Sequence, residues 1–375
     1  MTSDDLFNGF NRKPFALPPA SRIANSMTMT PTNRTTSIET IEQLEQMLSE
    51  PTAQVVEMMR RLKGDIIFLG VGGKIGPSLA RMAKRASEFA GVSRRIIGVS
   101  RFSLPNEQAN LNVDGIETVR CDLLDEAAVA RLPDAPNVIY LAGLKFGSDG
   151  RASATWAINA WLPGVLCRKF RSSRIVAYST GNVYGASLVA GGGSRETDSV
   201  EPIGEYAMSC LGRERILEYF SCKWDIPTAI IRLFYACEVR YGVLVDLARK
   251  IADGEPIDLA MGHFNVIWQG DNNAQTLLAL EHVATPPLVL NLTGPETLSV
   301  RKVAEAMGRR LGREPIFSGT ELDTSCIGNV RRAHDLFGEP RVGAEQLMEW
   351  AVDWVKRGGE YLGKPTHFET RDGKY

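Results

Sequence analysis

Ile66-Ile67-Phe68-Leu69-Gly70-Val71-Gly72-Gly73-Lys74-Ile75-Gly76-Pro77 is the stretch that decides the fold. Four apolar residues run into glycines spaced three apart, and Pro77 opens a helical run from Ser78 to Ala90. Gly70, Gly73 and Gly76 would let the backbone turn tightly, approach a pyrophosphate and pack the helix on the strand. The phosphate then meets the free N–H groups and positive dipole end of that helix. Glycine makes up 35 of the 375 residues, so the triplet counts for its place between strand and helix rather than for its composition. Lys74 and Ile75 complete the loop.

Downstream, short β-rich runs alternate with helical stretches: RIIGV, IETVR, NVIYLAG, RIVAYS and TAIIRLF follow IIFLG as strand candidates. Apolar strands bounded by Gly, Asp and Pro, with helical patterns between them, predict a doubly wound parallel α/β sheet of the Rossmann type. The second run ends in Val99-Ser100-Arg101 with no acid to hold the ribose hydroxyls of NAD and repel a 2′-phosphate. NADP is therefore expected over NAD, with Ser100, Arg101 and Lys74 around the phosphate; the bland alternative for Arg101 is a solvated loop residue.

Outward from this core the chain divides into a flexible leader (1–35), N-terminal helices (36–63), the dinucleotide-binding region (64–240), a smaller α/β substrate-binding region (241–358) and a polar tail (359–375). The leader is rich in Ser, Thr, Asn, Pro and Met without periodicity. Thr36 and Glu39 have capping-box spacing ahead of Ile38, Ile41, Leu44 and Leu48. After Arg240 the pattern predicts helices near 243–253, 272–283 and 299–311 and a strand at VLNL.

The composition, 44% hydrophobic and 23% charged, is that of a globular protein. Forty-three basic against 44 acidic residues give a net charge of −1, which argues against nucleic acid as a partner. No apolar run is long enough to span a membrane, and the N-terminus lacks a basic and apolar secretory signal, so a cytoplasmic location is expected. Six scattered cysteines and four scattered histidines suggest neither a disulfide framework nor a metal site.

Five motifs in order resemble the extended short-chain dehydrogenase/reductases, the NAD-dependent epimerases and dehydratases, from about Asp65 to Trp354. They are the glycine loop, Cys121-Asp122-Leu123-Leu124-Asp125, Tyr140-Leu141-Ala142-Gly143-Leu144-Lys145, Ser179-Thr180-Gly181-Asn182-Val183-Tyr184-Gly185, and Tyr206. The resemblance implies that Asp122 and Leu123 sit by the adenine and that Ala142, Gly143 and Lys145 line the nicotinamide half. It further implies that Asn159 supports the site, Thr180 bonds the reacting oxygen and Tyr206 is the acid/base, while Tyr184 packs. Such chemistry needs an acid/base within hydrogen-bond reach of the oxygen whose carbon exchanges hydride. The family also pairs two helices across a two-fold axis; here these span about 153–171 and 205–222 and carry Trp156, Trp161, Leu211, Leu217 and Phe220, so a homodimer is expected.

Three departures stand against this pattern. Where the family motif has Tyr-x-x-x-Lys, this chain has Tyr206-Ala207-Met208-Ser209-Cys210, and a phenol with a pKa near 10 is a poor base at pH 7 without a cation. Gly181-Asn182 replaces the Asp-Glu pair of 4,6-dehydratases, leaving Asn182 as a substrate contact. Phe264 stands where nucleotide-sugar enzymes carry a diphosphate-gripping arginine, which favours a small sugar, sugar acid or other hydroxy-carbonyl compound. Arg240, His263 and Trp268 are further substrate-binding candidates, each with a structural alternative. The expected activity is an NAD(P)-dependent oxidoreductase or epimerase at a secondary alcohol or ketone; the rival is a dinucleotide-binding sensor or assembly protein that has lost catalysis.

Overall fold

The computed structural model describes residues 37–103, 106–145 and 150–374. The leader read from residues 1–35 lies outside the described residues.

Seven parallel strands form the central sheet: β1 (Ile66–Leu69), β2 (Ile96–Ser100), β3 (Glu117–Arg120), β4 (Asn137–Tyr140), β5 (Arg174–Thr180), β6 (Thr228–Leu233) and β7 (Leu288–Leu292). Their order across the sheet is 7-6-5-4-1-2-3. β1 pairs with both β2 (Ile66 opposite Ile96) and β4 (Ile66 opposite Asn137), and all four of its side chains are buried. A parallel strand covered by helices on both faces must be apolar throughout, so IIFL reads as an unbroken run rather than an alternation. The chain reverses direction across the sheet between β1 and β4, placing a crevice at the strands' carboxyl ends, where such folds bind their ligands.

The helices, in order, are α1 (Ile41–Leu48), α2 (Ala53–Arg61), α3 (Gly76–Phe89), α4 (Glu107–Val113), α5 (Glu126–Ala130), α6 (Ala152–Trp156), α7 (Leu162–Lys169), α8 (Gly204–Trp224), α9 (Val243–Asp253), α10 (Gln269–Leu278), α11 (Val300–Leu311), α12 (Arg331–Phe337) and α13 (Ala344–Lys356). A π-helical turn, Ala157–Trp161, joins α6 to α7. The N-cap of α1 is Thr40, whose hydroxyl accepts from Gln43 N while Gln43 Oε1 accepts from Glu39 N. The cap thus sits four residues beyond the spacing read at Thr36, and Gln43 returns to the residue before the cap rather than to the cap's own N–H.

A core on one face of the sheet joins β1, β5, β6 and β7 to α2, α3 and α10. A second lies on the opposite face among β1, β2, β4 and α7. A third gathers α9, α11 and α13 with Ile38, Leu44, Leu48 and Phe368. The first helix and the last segment therefore share the core of the region after Arg240. The segment read as a polar tail places Thr366 and Phe368 in the interior, and the Asp246 carboxylate accepts from Thr366 N and Oγ1 at 2.8 and 2.6 Å.

Candidate active site

The glycine loop leaves β1 and enters α3. Gly70 has φ +94°, and a Cβ there would lie 2.7 Å from Ala142 N, so this glycine lets the loop press on the end of β4. At Gly76 a Cβ would collide with the Val71 carbonyl. Gly73 is different: a Cβ would meet only Gly70 O at 3.5 Å, so nothing in the protein's own packing requires glycine there. A bare backbone facing open space, beside a helix whose N-cap Ile75 supplies no side-chain bond, fits a pyrophosphate laid on the loop.

Lys74 does not join that cradle. Its ammonium donates to Ala236 O at 2.7 Å and stands 3.8 Å from the Tyr241 ring centre, and burial lowers its pKa to about 8. The expectation that it holds a phosphate is corrected: the side chain passes under the loop to tie it to the region after β6. Arg101 is exposed, and its carbonyl accepts from Arg120 Nη1 at 2.6 Å.

The acid missing from the end of β2 arrives from elsewhere. A Cβ at Gly72 would lie 2.6 Å from Ser100 Oγ and 3.5 Å from Glu107 Oε2. Glu107 opens α4 after Asn106, which has φ +64°, and this turn brings a carboxylate against the glycine loop beside Ser100. Sequence reading missed it because the acid lies seven residues beyond the strand's end. Asp122 Oδ1 accepts from Leu124 N at 3.0 Å, and Leu123 is buried in the sheet's core.

At the end of β4 the chain is held by Asn159. Its Oδ1 accepts from Leu144 N at 2.9 Å, and its Nδ2 donates to Leu144 O and Ser209 Oγ, both at 3.0 Å. Ala142 and Gly143 lie just before this clamp. Lys145, just after it, donates to Thr366 O at 3.3 Å and sits 5.9 Å from the Tyr206 ring centre; burial lowers its pKa to about 8. At the end of β5, Thr180 Oγ1 accepts from Asn182 N at 3.2 Å and caps the 3-10 turn Gly181–Tyr184, which packs on α8. Tyr206 and Cys210 lie on that helix against Val183 and Tyr184. Burial raises the Cys210 thiol above its ordinary pKa, so it is a packed group rather than an activated nucleophile. Tyr184 is structural as expected, donating to Asn291 Oδ1 at 2.8 Å.

A small pocket of about 80 Å³, open at its mouth, adjoins this edge. It is lined by Asn182, Ile203, Met261, Cys326 and, from the last segment, Thr370 and Arg371. Arg371 is anchored by Ala260 O and Thr324 O at 3.0 and 2.9 Å.

Of the substrate candidates, Asn182 lines this pocket, whereas Arg240, Trp268 and His263 are not among its lining residues. Arg240 donates to Glu238 and, at 2.7 Å, to Glu45 of α1, so its guanidinium docks the first helix. Trp268 is buried against Trp350, 5.3 Å between ring centres. His263 lies in a two-residue strand paired with Leu298–Ser299, and its backbone N–H donates to Ser325 Oγ.

The family model of the NAD dependent epimerase/dehydratase family matches residues 66–272, more than half of the chain. The chain belongs to that family. Among solved structures, UDP-glucuronic acid 4-epimerase from Bacillus cereus, in complex with NAD, superposes with a TM-score of 0.64 at 19% identity, covering 80% of this chain and 99% of that one. UDP-glucose 4-epimerase from Thermotoga maritima superposes with a TM-score of 0.63 at 19% identity, covering 78% and 99%. No curated protein matches the sequence. Among the described residues, no helix is long and apolar enough to cross a membrane.

Proposed function

We propose that this protein is an NAD-dependent epimerase or oxidoreductase acting at a secondary alcohol or ketone of a small sugar-like or sugar-acid substrate. The observation that carries the reading is Lys145: it follows the proposed nucleotide wall directly and its ammonium lies 5.9 Å from the Tyr206 ring centre, which supports a dinucleotide and an acid/base in one site. When bound, the nicotinamide supplies the hydride acceptor and donor. Thr180 orients the substrate oxygen, and Tyr206 takes or returns its proton. Asn159 holds the β4 wall and α8 at fixed separation.

NAD takes precedence over the NADP expected from Ser100-Arg101, because the Glu107 carboxylate beside Ser100 would accept from ribose hydroxyls and repel a 2′-phosphate. Phe264 is fully buried, 6.2 Å from the Phe368 ring centre, and offers no charge to a diphosphate, which supports a substrate without a nucleotide. Cys210 favours a second reading, a dinucleotide-binding sensor that has lost turnover.

The test is to identify the nucleotide retained on purification and then to follow nicotinamide absorbance across a panel of sugars and sugar acids. Turnover that Tyr206→Phe and Thr180→Val each abolish, with nucleotide still bound, supports the enzyme. Binding without turnover on any member selects the sensor.

A further inference from the structure

The helix α8 carries Tyr206, Cys210 and Arg213 at spacings of four and three, so the three share one face. Helical side chains lean toward the N-terminus, and Cys210 is short, so the long Arg213 side chain can reach back across it. Arg213 is 4% exposed. Its Nε donates to Asn159 O at 3.2 Å, Nη1 to Tyr178 O at 2.7 Å and Nη2 to Asn159 Oδ1 at 2.7 Å. The Asn159 carbonyl lies within the π-helical turn, where the backbone bonding is interrupted and an acceptor can serve another element.

Gly143 gives an independent observation. A Cβ there would lie 2.9 Å from Arg213 Nη2 and 3.4 Å from Asn159 Oδ1, and its φ is not positive. The backbone does not need glycine at that position; the guanidinium does. The charge of Arg213 thus rests directly against the β4 wall where the nicotinamide half of the dinucleotide is proposed to lie.

We infer that Arg213 supplies the positive charge that the lysine of the Tyr-x-x-x-Lys motif gives elsewhere in the family, entering from the next turn of the same helix through the room left by Cys210. This rests on the reading of Tyr206 as the acid/base. Arg213 is a positioning residue: it lowers the Tyr206 phenol through charge and fixes the β4 wall through Asn159.

The ionisable groups around Tyr206 are Cys210 and Arg213 on its own helix, Lys145 beyond β4 and Tyr184 from the turn after β5. Burial works against the Arg213 charge, but Tyr140, Cys210, Tyr206 and Glu214 hold its pKa above the ordinary value. Lys145 is drawn down to about 8 by burial, so it is charged at pH 7 and loses its charge as the pH passes through that value. A guanidinium keeps its charge throughout.

The experiment is a spectrophotometric tyrosinate titration of the purified full chain, with Tyr206→Phe subtracted to isolate Tyr206; no substrate is required. The wild-type phenol should titrate below the ordinary value near 10. Arg213→Met should raise it by roughly one unit or more, and Cys210→Lys in that background should bring it back down. A wild-type titration at or above 10 overturns the inference without any variant, which keeps the test decisive should Arg213→Met not fold. So does an unmoved titration in folded Arg213→Met, or a rise produced by Lys145→Met instead. A lowered Tyr206 with no turnover on the substrate panel would leave Arg213 in this role and remove only the enzymatic reading.

Discussion

Glu214 of α8 is clasped by Arg232 of β6, whose Nε and Nη2 lie 3.0 and 2.6 Å from the two carboxylate oxygens, and Ser179 Oγ donates to the same carboxylate at 2.6 Å. Arg232 also donates to the Tyr184 hydroxyl at 2.6 Å, so one buried pair joins α8, β5, β6 and the 3-10 turn that Thr180 caps. Pairing pushes the Arg232 pKa up despite burial, and burial pushes Tyr184 up to about 12.

Removing one partner of this pair strands the other charge. Arg232→Met should destabilise the fold by about 3–5 kcal/mol. The exposed pair Arg215–Glu218 on the same helix, broken by Arg215→Ala, should change stability by less than about 1 kcal/mol. Denaturant unfolding of the two variants against wild type compares them directly, and equal midpoints would remove the structural role given to Arg232.

Cofactor choice should turn on Glu107. Losing one charge-assisted contact costs about 1.5–3 kcal/mol, so Glu107→Gln should weaken NAD roughly ten-fold or more and leave NADP unchanged or tighter. Calorimetric titration with both nucleotides reads the ratio. Tighter NADP than NAD in the wild-type protein would return the choice to Ser100 and Arg101.

Lys74 and Lys145 should each add a contribution to stability that rises above pH 8. Burial lowers both Lys74 and Lys145 to about 8, against about 10.4 in the unfolded chain, so above pH 8 the unfolded state binds more protons and alkali favours folding. The gain is on the order of 1 kcal/mol per lysine per pH unit. Buried thiols oppose it from about pH 8.5 upward, because burial raises Cys237 and Cys326 to about 11 and Cys167 to about 12, so that unfolding releases their protons. Lys74→Met should flatten the rise measured by thermal unfolding at stepped pH; an unchanged slope would show that Lys74 keeps its proton.

A dimer through α6, α7 and α8 should depend on Trp156 and Trp161 of the set first read, and not on Leu217 and Phe220. Leu217 and Phe220 face inward onto the sheet's core. Trp156 and Trp161 are 41% and 48% exposed, and Met208 and Tyr219 on α8 are exposed as well. Light scattering at micromolar concentration should give a dimeric mass that Trp161→Glu halves; a monomeric wild type would remove the interface.

The doubly wound sheet was legible in the chain because its causes are local. An unbroken apolar run such as Ile66–Leu69 has to be covered on both faces, and glycines spaced three apart at its exit leave few other conformations. The site's order along the chain was legible for the same reason: Thr180 ends its strand and Tyr206 stands in the first turn of its helix. Direction was harder to read. Lys74 and Arg240 looked like ligand contacts, yet their charges are held by Ala236 O, Glu238 and Glu45, which only folding brings near.

The sequence by itself determined the α/β topology, the nucleotide loop, the family and the absence of a lysine at position 210. Tertiary structure alone decided what stands in for the missing charges. Glu107 reaches the loop because α4 begins beside Ser100, and Arg213 reaches the β4 wall because a π-turn exposes the Asn159 carbonyl and Gly143 leaves room. A charge acts through distance in space, and residues three to seven positions apart on a chain carry no distance until the backbone gives them one.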